Sequence, residues 1–347
     1  MNQVIRYRHY AVLAVFAILL PIRTLLSAQA TSQAGPTLQP PDQPALSAQD
    51  KTELDEALKL KAAAGDEIWP GLTGAAIPVI LFNARYEFLV GMANPPAPWE
   101  AVRDESFQGK PYSRRPADNS QNFAVKVGAV YAGSASTLGL MNTKSPMKLG
   151  PDFHAVLVLH EMFHAYQAGQ DAARFARALE VYKVEKSYPF QDKDMAAAWV
   201  KEGSALARAL KAPTDDEAVR LAQKFLEIRD ARRGAAHLAP ELADYERELE
   251  WLEGLAKYAE IRFYELAAKR ADQTASIKFN PVLPIFLQWD FVRLEKQMGA
   301  QEGDLRFYLS GMAQARLLDR LSPGWKTRAA LGKVYLEDIL RAAVAQR

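Results

Sequence analysis

The chain contains no cysteine, which excludes disulfides, thiolate-ligated zinc, iron–sulfur clusters and a thiol nucleophile. Nor does it carry a large excess of one charge. Its 43 Lys and Arg stand against 41 Asp and Glu, a formal net charge of +2, too small to describe a nucleic-acid surface. No uninterrupted apolar run reaches the ~18 residues that a membrane-spanning helix needs; the longest, Ala11 to Ile22, is closed by Arg23. Histidine is scarce at five residues. What remains is chemistry built from imidazole, carboxylate and hydroxyl groups. The chain of 347 residues is 49% hydrophobic and 24% charged, a globular composition with ample length for a core.

The first thirty residues follow the plan of a secretory signal peptide. Arg6 and Arg8 precede the apolar run, and small residues end at Ala28-Gln29-Ala30, an A-x-A cleavage site. Removing the three Arg of this segment leaves 40 basic against 41 acidic groups, so the slight basicity belongs to the export signal. A soluble periplasmic or secreted protein is expected, with no stable membrane insertion after cleavage and no lipid-attachment cysteine. Disulfides would be permitted in that compartment, and their absence leaves stability to the core, with a metal as the other available aid.

Residues 31–47 are rich in Pro, Gln, Ser and Ala and read as a flexible linker. A helix capped by Ser47 is expected over about 48–64. From 68 to about 149, short β-type runs (Ile77 to Phe82, Tyr86 to Val90, Phe123 to Tyr131) alternate with Pro- and Gly-rich loops, predicting a small, mostly antiparallel sheet of three to five strands. From Asp152 onward the spacing of apolar residues predicts almost continuous helix. The fold class is α+β, one catalytic domain over 48–347 with a β-rich part (48–150) leading into a helical part (151–347).

The stretch that carries chemistry is His154-Ala-Val-Leu-Val-Leu-His160-Glu161-Met-Phe-His164, opened by Pro151 at the first turn of a helix. His160 and His164 are four residues apart, so both imidazoles leave one helix face and can grip one ion. Glu161 is turned about 100° from His160, within reach of a water on that ion without being a ligand. This H-E-x-x-H arrangement supplies two zinc ligands and a general base for hydrolysis. A ferritin-like dimetal bundle would need a second E-x-x-H, and neither His154 nor His237 has a Glu three residues earlier.

A tetrahedral catalytic zinc needs one more protein ligand. A metzincin would place Gly and His three and six residues after His164, where this chain has Gln167 and Gln170. The third ligand is therefore sought among downstream carboxylates. Glu202 lies on an apolar helical stripe with Trp199 and Leu206, where a Glu needs a cation or metal partner. Glu253 borders a similar stripe in Glu250-Trp-Leu-Glu253-Gly-Leu-Ala-Lys-Tyr258-Ala-Glu260.

The pair of segments His160-Glu161-Met-Phe-His164 and Glu253-Gly-Leu-Ala-Lys-Tyr258 resembles gluzincin metallopeptidases, including the aminopeptidase-like superfamily whose third zinc ligand sits in an E-G-x-A-x-Y helix. The resemblance covers about 110 residues, His154 to Glu260. It implies a zincin-like fold, zinc as cofactor, and a peptide or protein substrate. It favours Glu253 as third ligand, with Glu202 as the alternative. The spacing departs from the pattern: 89 residues separate His164 from Glu253, and 38 separate it from Glu202.

Other residues read more plainly. Glu246 and Glu250 suit a solvated acidic face, the cluster Arg229, Arg232 and Arg233 suits solvated surface, and His154 suits a structural role. Tyr258, Tyr245 and His237 are candidate donors to a developing oxyanion, each more simply structural. The run from Phe123 to Tyr131 can serve as an edge strand for an extended peptide. The function expected is a zinc-dependent hydrolase, most simply a peptidase. The alternative is a noncatalytic envelope binding protein, zinc-stabilised or metal-free, suggested by the long helical C-terminal part.

Overall fold

A computed structural model describes residues 44–347 apart from 105, 106, 108, 119, 146, 147, 270–276, 278–287, 289, 302 and 331. The proposed signal peptide (1–30) and residues 31–43 of the linker lie outside the described residues. The architecture is α+β, a six-stranded mixed sheet followed by many helices. The chain divides into two compact units, one comprising residues up to 57 and 76–162, the other residues 58–75 and 163–347.

The first unit is built on a sheet of strands β1 (Val79–Phe82), β2 (Tyr86–Val90), β3 (Glu100–Val102), β4 (Tyr112–Pro116), β5 (Phe123–Val127) and β6 (Val130–Ser136) in the order β3-β4-β2-β1-β6-β5. Only the β1–β6 pair is parallel. The β1–β2 hairpin is closed by Asn83, whose side-chain oxygen accepts from the backbone N–H groups of Arg85 at 2.9 Å and Tyr86 at 2.8 Å, as Asn side chains do in turns. Strands β3 and β4 exceed the three to five expected from sequence. β3 has three residues and β4 alternates through Arg114 and Arg115, so neither offers an apolar run to read. The expected strand 123–131 is a hairpin instead: Gly128 takes φ of 59°, a turn conformation that favours glycine, and only β5 lies at the sheet edge.

Helix α1 (Ala48–Ile68) begins as the sequence predicts, with Ser47 Oγ accepting from Asp50 N and Asp50 Oδ2 accepting from Ser47 N, a reciprocal cap. After a short helix α2 (Leu138–Lys144), helix α3 (Pro151–Gln170) carries the H-E-x-x-H motif. Small residues of β6 let α3 approach closely: a Cβ built on Gly133 would stand 2.6 Å from the backbone nitrogen of Met162. His154 fastens the same helix. Its imidazole is fully buried, pairs through Nδ1 with Glu53 of α1, and lies 2.7 Å from the Ser136 carbonyl of β6. Burial opposes the imidazolium, yet the Glu53 carboxylate together with Asp50 and the Ser136 carbonyl outweighs it and holds the His154 pKa above the usual value.

The second unit is helical. Its main elements are α4 (Ala172–Glu180), α5 (Lys193–Lys211), α6 (Asp215–Ala235), α7 (Pro240–Leu249), α8 (Leu255–Lys269), α9 (Leu305–Leu321), α10 (Trp325–Ala330) and α11 (Leu336–Ala345). A π turn, Glu250–Gly254, joins α7 to α8 in one continuous rod. Gly254 in that turn faces Gly311 of α9 so closely that a Cβ on it would be 2.5 Å from the Gly311 Cα. Among the described residues no helix is long and apolar enough to cross a membrane.

Candidate metal centre

His160 and His164 sit one turn apart on α3. Their helix is apolar nearly all round, so both imidazoles are buried, at 5% and 1% exposure. Glu253, on the π turn, is 2% exposed. One ligand atom from each of His160, His164 and Glu253 lies within 4.8 Å of the others, a group able to hold a metal ion. The Nε2 of His164 is 3.2 Å from Oε2 of Glu253. Two ligand atoms of a tetrahedral zinc with bonds near 2.0–2.1 Å stand about 3.3 Å apart, so this pair already has the spacing of two ligands on one ion. Two imidazoles and a carboxylate are also the donor set of catalytic zinc sites that keep a fourth position open.

Further residues support the group. His164 Nδ1 lies 3.1 Å from Oε1 of Gln167, whose Nε2 donates to the Trp251 carbonyl at 2.8 Å. The Tyr182 hydroxyl lies 3.3 Å from Glu253 Oε1 and 3.2 Å from Asp304 Oδ2, and the Tyr308 hydroxyl also bonds Glu253. Burial raises the Asp304 carboxyl to about 7, helped by the negative charge of Glu253. Sequence reading singles out none of Tyr182, Asp304 and Tyr308; the two contacts of Tyr182 alone join positions 71 and 122 residues apart. Gln167 had a signal, standing one turn beyond His164.

Glu202 is not part of the group. It is fully buried and its carboxylate is taken up by two arginines: Arg229 donates to Oε1 through Nε at 2.8 Å and Nη2 at 2.6 Å, and Arg232 Nε donates to Oε2 at 2.8 Å. The cationic partner that a Glu on an apolar stripe requires is thus guanidinium. The same cluster corrects the reading of Arg229, Arg232, Arg233, Glu246 and Glu250 as solvated. Arg229 makes a two-pronged pair with Glu250 at 2.9 and 2.5 Å, Arg232 another with Glu246 at 2.6 and 2.9 Å. Arg233 and Arg247 reach Glu337 of α11. Arg229, Glu246 and Glu337 have no exposed surface. Their charges cancel by pairing, and Arg232 also stacks over Trp199 at 4.0 Å.

The remaining candidates have other partners. Tyr258 donates to Asp319 at 2.6 Å, Tyr245 packs against Tyr188 and Phe307, and His237 is exposed at φ of 46° after α6. In Glu253-Gly-Leu-Ala-Lys-Tyr258, Gly254 serves helix packing and Lys257 pairs with Glu260 and Asp290.

Comparison with known protein families, with curated proteins and with solved structures finds no match to this chain.

Proposed function

We propose that the protein is an exported zinc-dependent hydrolase of gluzincin type, acting on peptide bonds, with His160, His164 and Glu253 as metal ligands. The observation that carries this reading is the convergence of those three side chains, brought from one helix and a turn 89 residues away, around a helix whose intervening residue is Glu161. A zinc ion held there would supply a Lewis acid for the scissile carbonyl and an acidified water. Glu161 is the proton carrier of the pair, taking a proton from the attacking water and returning it to the departing amine. Tyr182 and Tyr308 hold the Glu253 carboxylate in place.

Glu161→Gln tests this directly, because it changes one oxygen for an amide and leaves the ligands intact. The variant retains metal at the level of the parent and loses hydrolysis of a peptide library. Turnover that survives the substitution contradicts the mechanism.

A second reading, a metal-stabilised binding protein, is favoured by the burial of Glu161, which is only 4% exposed. It predicts metal binding with no turnover in the parent protein.

A further inference from the structure

We infer that Gln167 is the positioning residue of the metal centre: it fixes the tautomer of His164 and ties that imidazole to the backbone of the turn that carries Glu253. The inference rests on the metal reading above for its purpose, although the tautomer it assigns belongs to the metal-free protein.

The direction of each hydrogen bond is settled by the last acceptor. The Trp251 carbonyl can only accept, so Gln167 must present its amide nitrogen there, at 2.8 Å. Its oxygen then faces His164 Nδ1 at 3.1 Å, and an amide oxygen can only accept. Nδ1 therefore carries the proton, and in the neutral ring Nε2 keeps its lone pair. Nε2 is the atom 3.2 Å from Glu253 Oε2, the one that faces the metal position. Gln167 reaches His164 because side chains on a helix lean over the preceding turn.

Trp251 is the second residue of the π turn Glu250–Gly254. One side chain thus spans from α3 to the π turn, 84 residues on, linking the second ligand to the element that bears the third. Both atoms of the amide are used, and Gln167 is itself 4% exposed. Polar partners of this kind orient metal-binding imidazoles, and their loss weakens affinity by about 10–100-fold.

The test uses the mature full-length protein, ¹⁵N-labelled at histidine. In metal-free protein at a pH where the ¹⁵N shifts themselves show a neutral ring, they should report His164 with its proton on Nδ1. Gln167→Met keeps length and removes both hydrogen bonds; it should shift His164 toward the Nε2–H form and weaken zinc binding about 10–100-fold in competition with a chromophoric chelator. Gln167→Glu keeps an acceptor for Nδ1–H and should preserve the tautomer. Parent protein with the proton on Nε2 overturns the inference even if Gln167→Met does not fold, and so does a folded Gln167→Met with unchanged tautomer and affinity. Parent protein that shows the Nδ1–H form but takes up no zinc supports the tautomer assignment and overturns the metal reading instead.

Discussion

Arg229 and Glu202 form an ion pair with no solvent exposure, Nη2 to Oε1 at 2.6 Å, and Arg229 grips Glu250 on its other side. Glu250 opens the π turn in which Glu253 sits three residues later. The two glutamates that compete as third ligand in the sequence therefore have complementary tasks. One neutralises a buried arginine behind the turn; the other projects from the turn toward His164.

Substitutions at the two positions should separate cleanly. Glu253→Gln is expected to abolish stoichiometric zinc binding, whereas Glu202→Gln should keep about one zinc per chain while lowering stability. Metal analysis after gel filtration, alongside urea denaturation, checks both. Zinc retained by Glu253→Gln and lost by a folded Glu202→Gln would reverse the assignment.

Removing Arg229 leaves Glu202, Glu250 and Glu337 without a shared counter-charge in the interior. Breaking a buried pair in this way costs about 3–5 kcal/mol, and three carboxylates share the loss. Arg229→Met should therefore fall by at least this much in equilibrium unfolding, or fail to accumulate folded. A loss below about 1 kcal/mol, typical of exposed pairs, would mean the cluster is solvated after all.

The same cluster sets an acid limit. Burial alone would raise the Glu246 carboxyl, but Arg232, followed by Arg233, draws it from 4.5 down to about 2, and Arg229 depresses Glu337 likewise. A carboxyl with a lower pKa in the folded state binds fewer protons there than when unfolded. Its stabilisation is complete above about pH 4.5 and disappears as pH falls toward about 2. Urea midpoints measured with chelator present, so that metal release does not intrude, should drop through this window. Glu246→Gln should flatten the drop.

Gly133 permits α3 to lie on β6. Gly133→Ala would place a methyl 2.6–2.7 Å from the Met162 backbone and should cost about 1–3 kcal/mol through overpacking. Because Met162 lies between the two ligand histidines, zinc affinity should fall as well. Chelator competition and thermal unfolding measured on one preparation check the pair of effects.

The parts of this protein that were legible in its sequence are those with local signals. Ser47 starts α1, Pro151 starts α3, and His160 and His164 share one helical face with Glu161 turned about 100° from it, so each could be placed without knowing the rest of the fold. The apolar stripes of two helices leave Glu253 and Glu202 as the candidates for third ligand. What escaped the sequence depends on distant pairing. Arg232 and Glu246 look like surface residues one by one; they are buried because each has the other, on neighbouring helices 14 residues apart. β3 and β4 are hidden for a related reason, since Arg115 lies in the sheet with its charge met by Glu87 at 2.6 Å. Tyr182 and Asp304 gain meaning only when the fold brings them to Glu253.

The most direct test of the metal centre is anomalous diffraction at the zinc edge from crystals of the purified protein. A single peak is expected about 2.0–2.2 Å from a ring nitrogen of His160, from Nε2 of His164 and from a carboxylate oxygen of Glu253. Crystals of zinc-supplemented protein with no peak among these three side chains, or with the ion on any other ligand set, would contradict it.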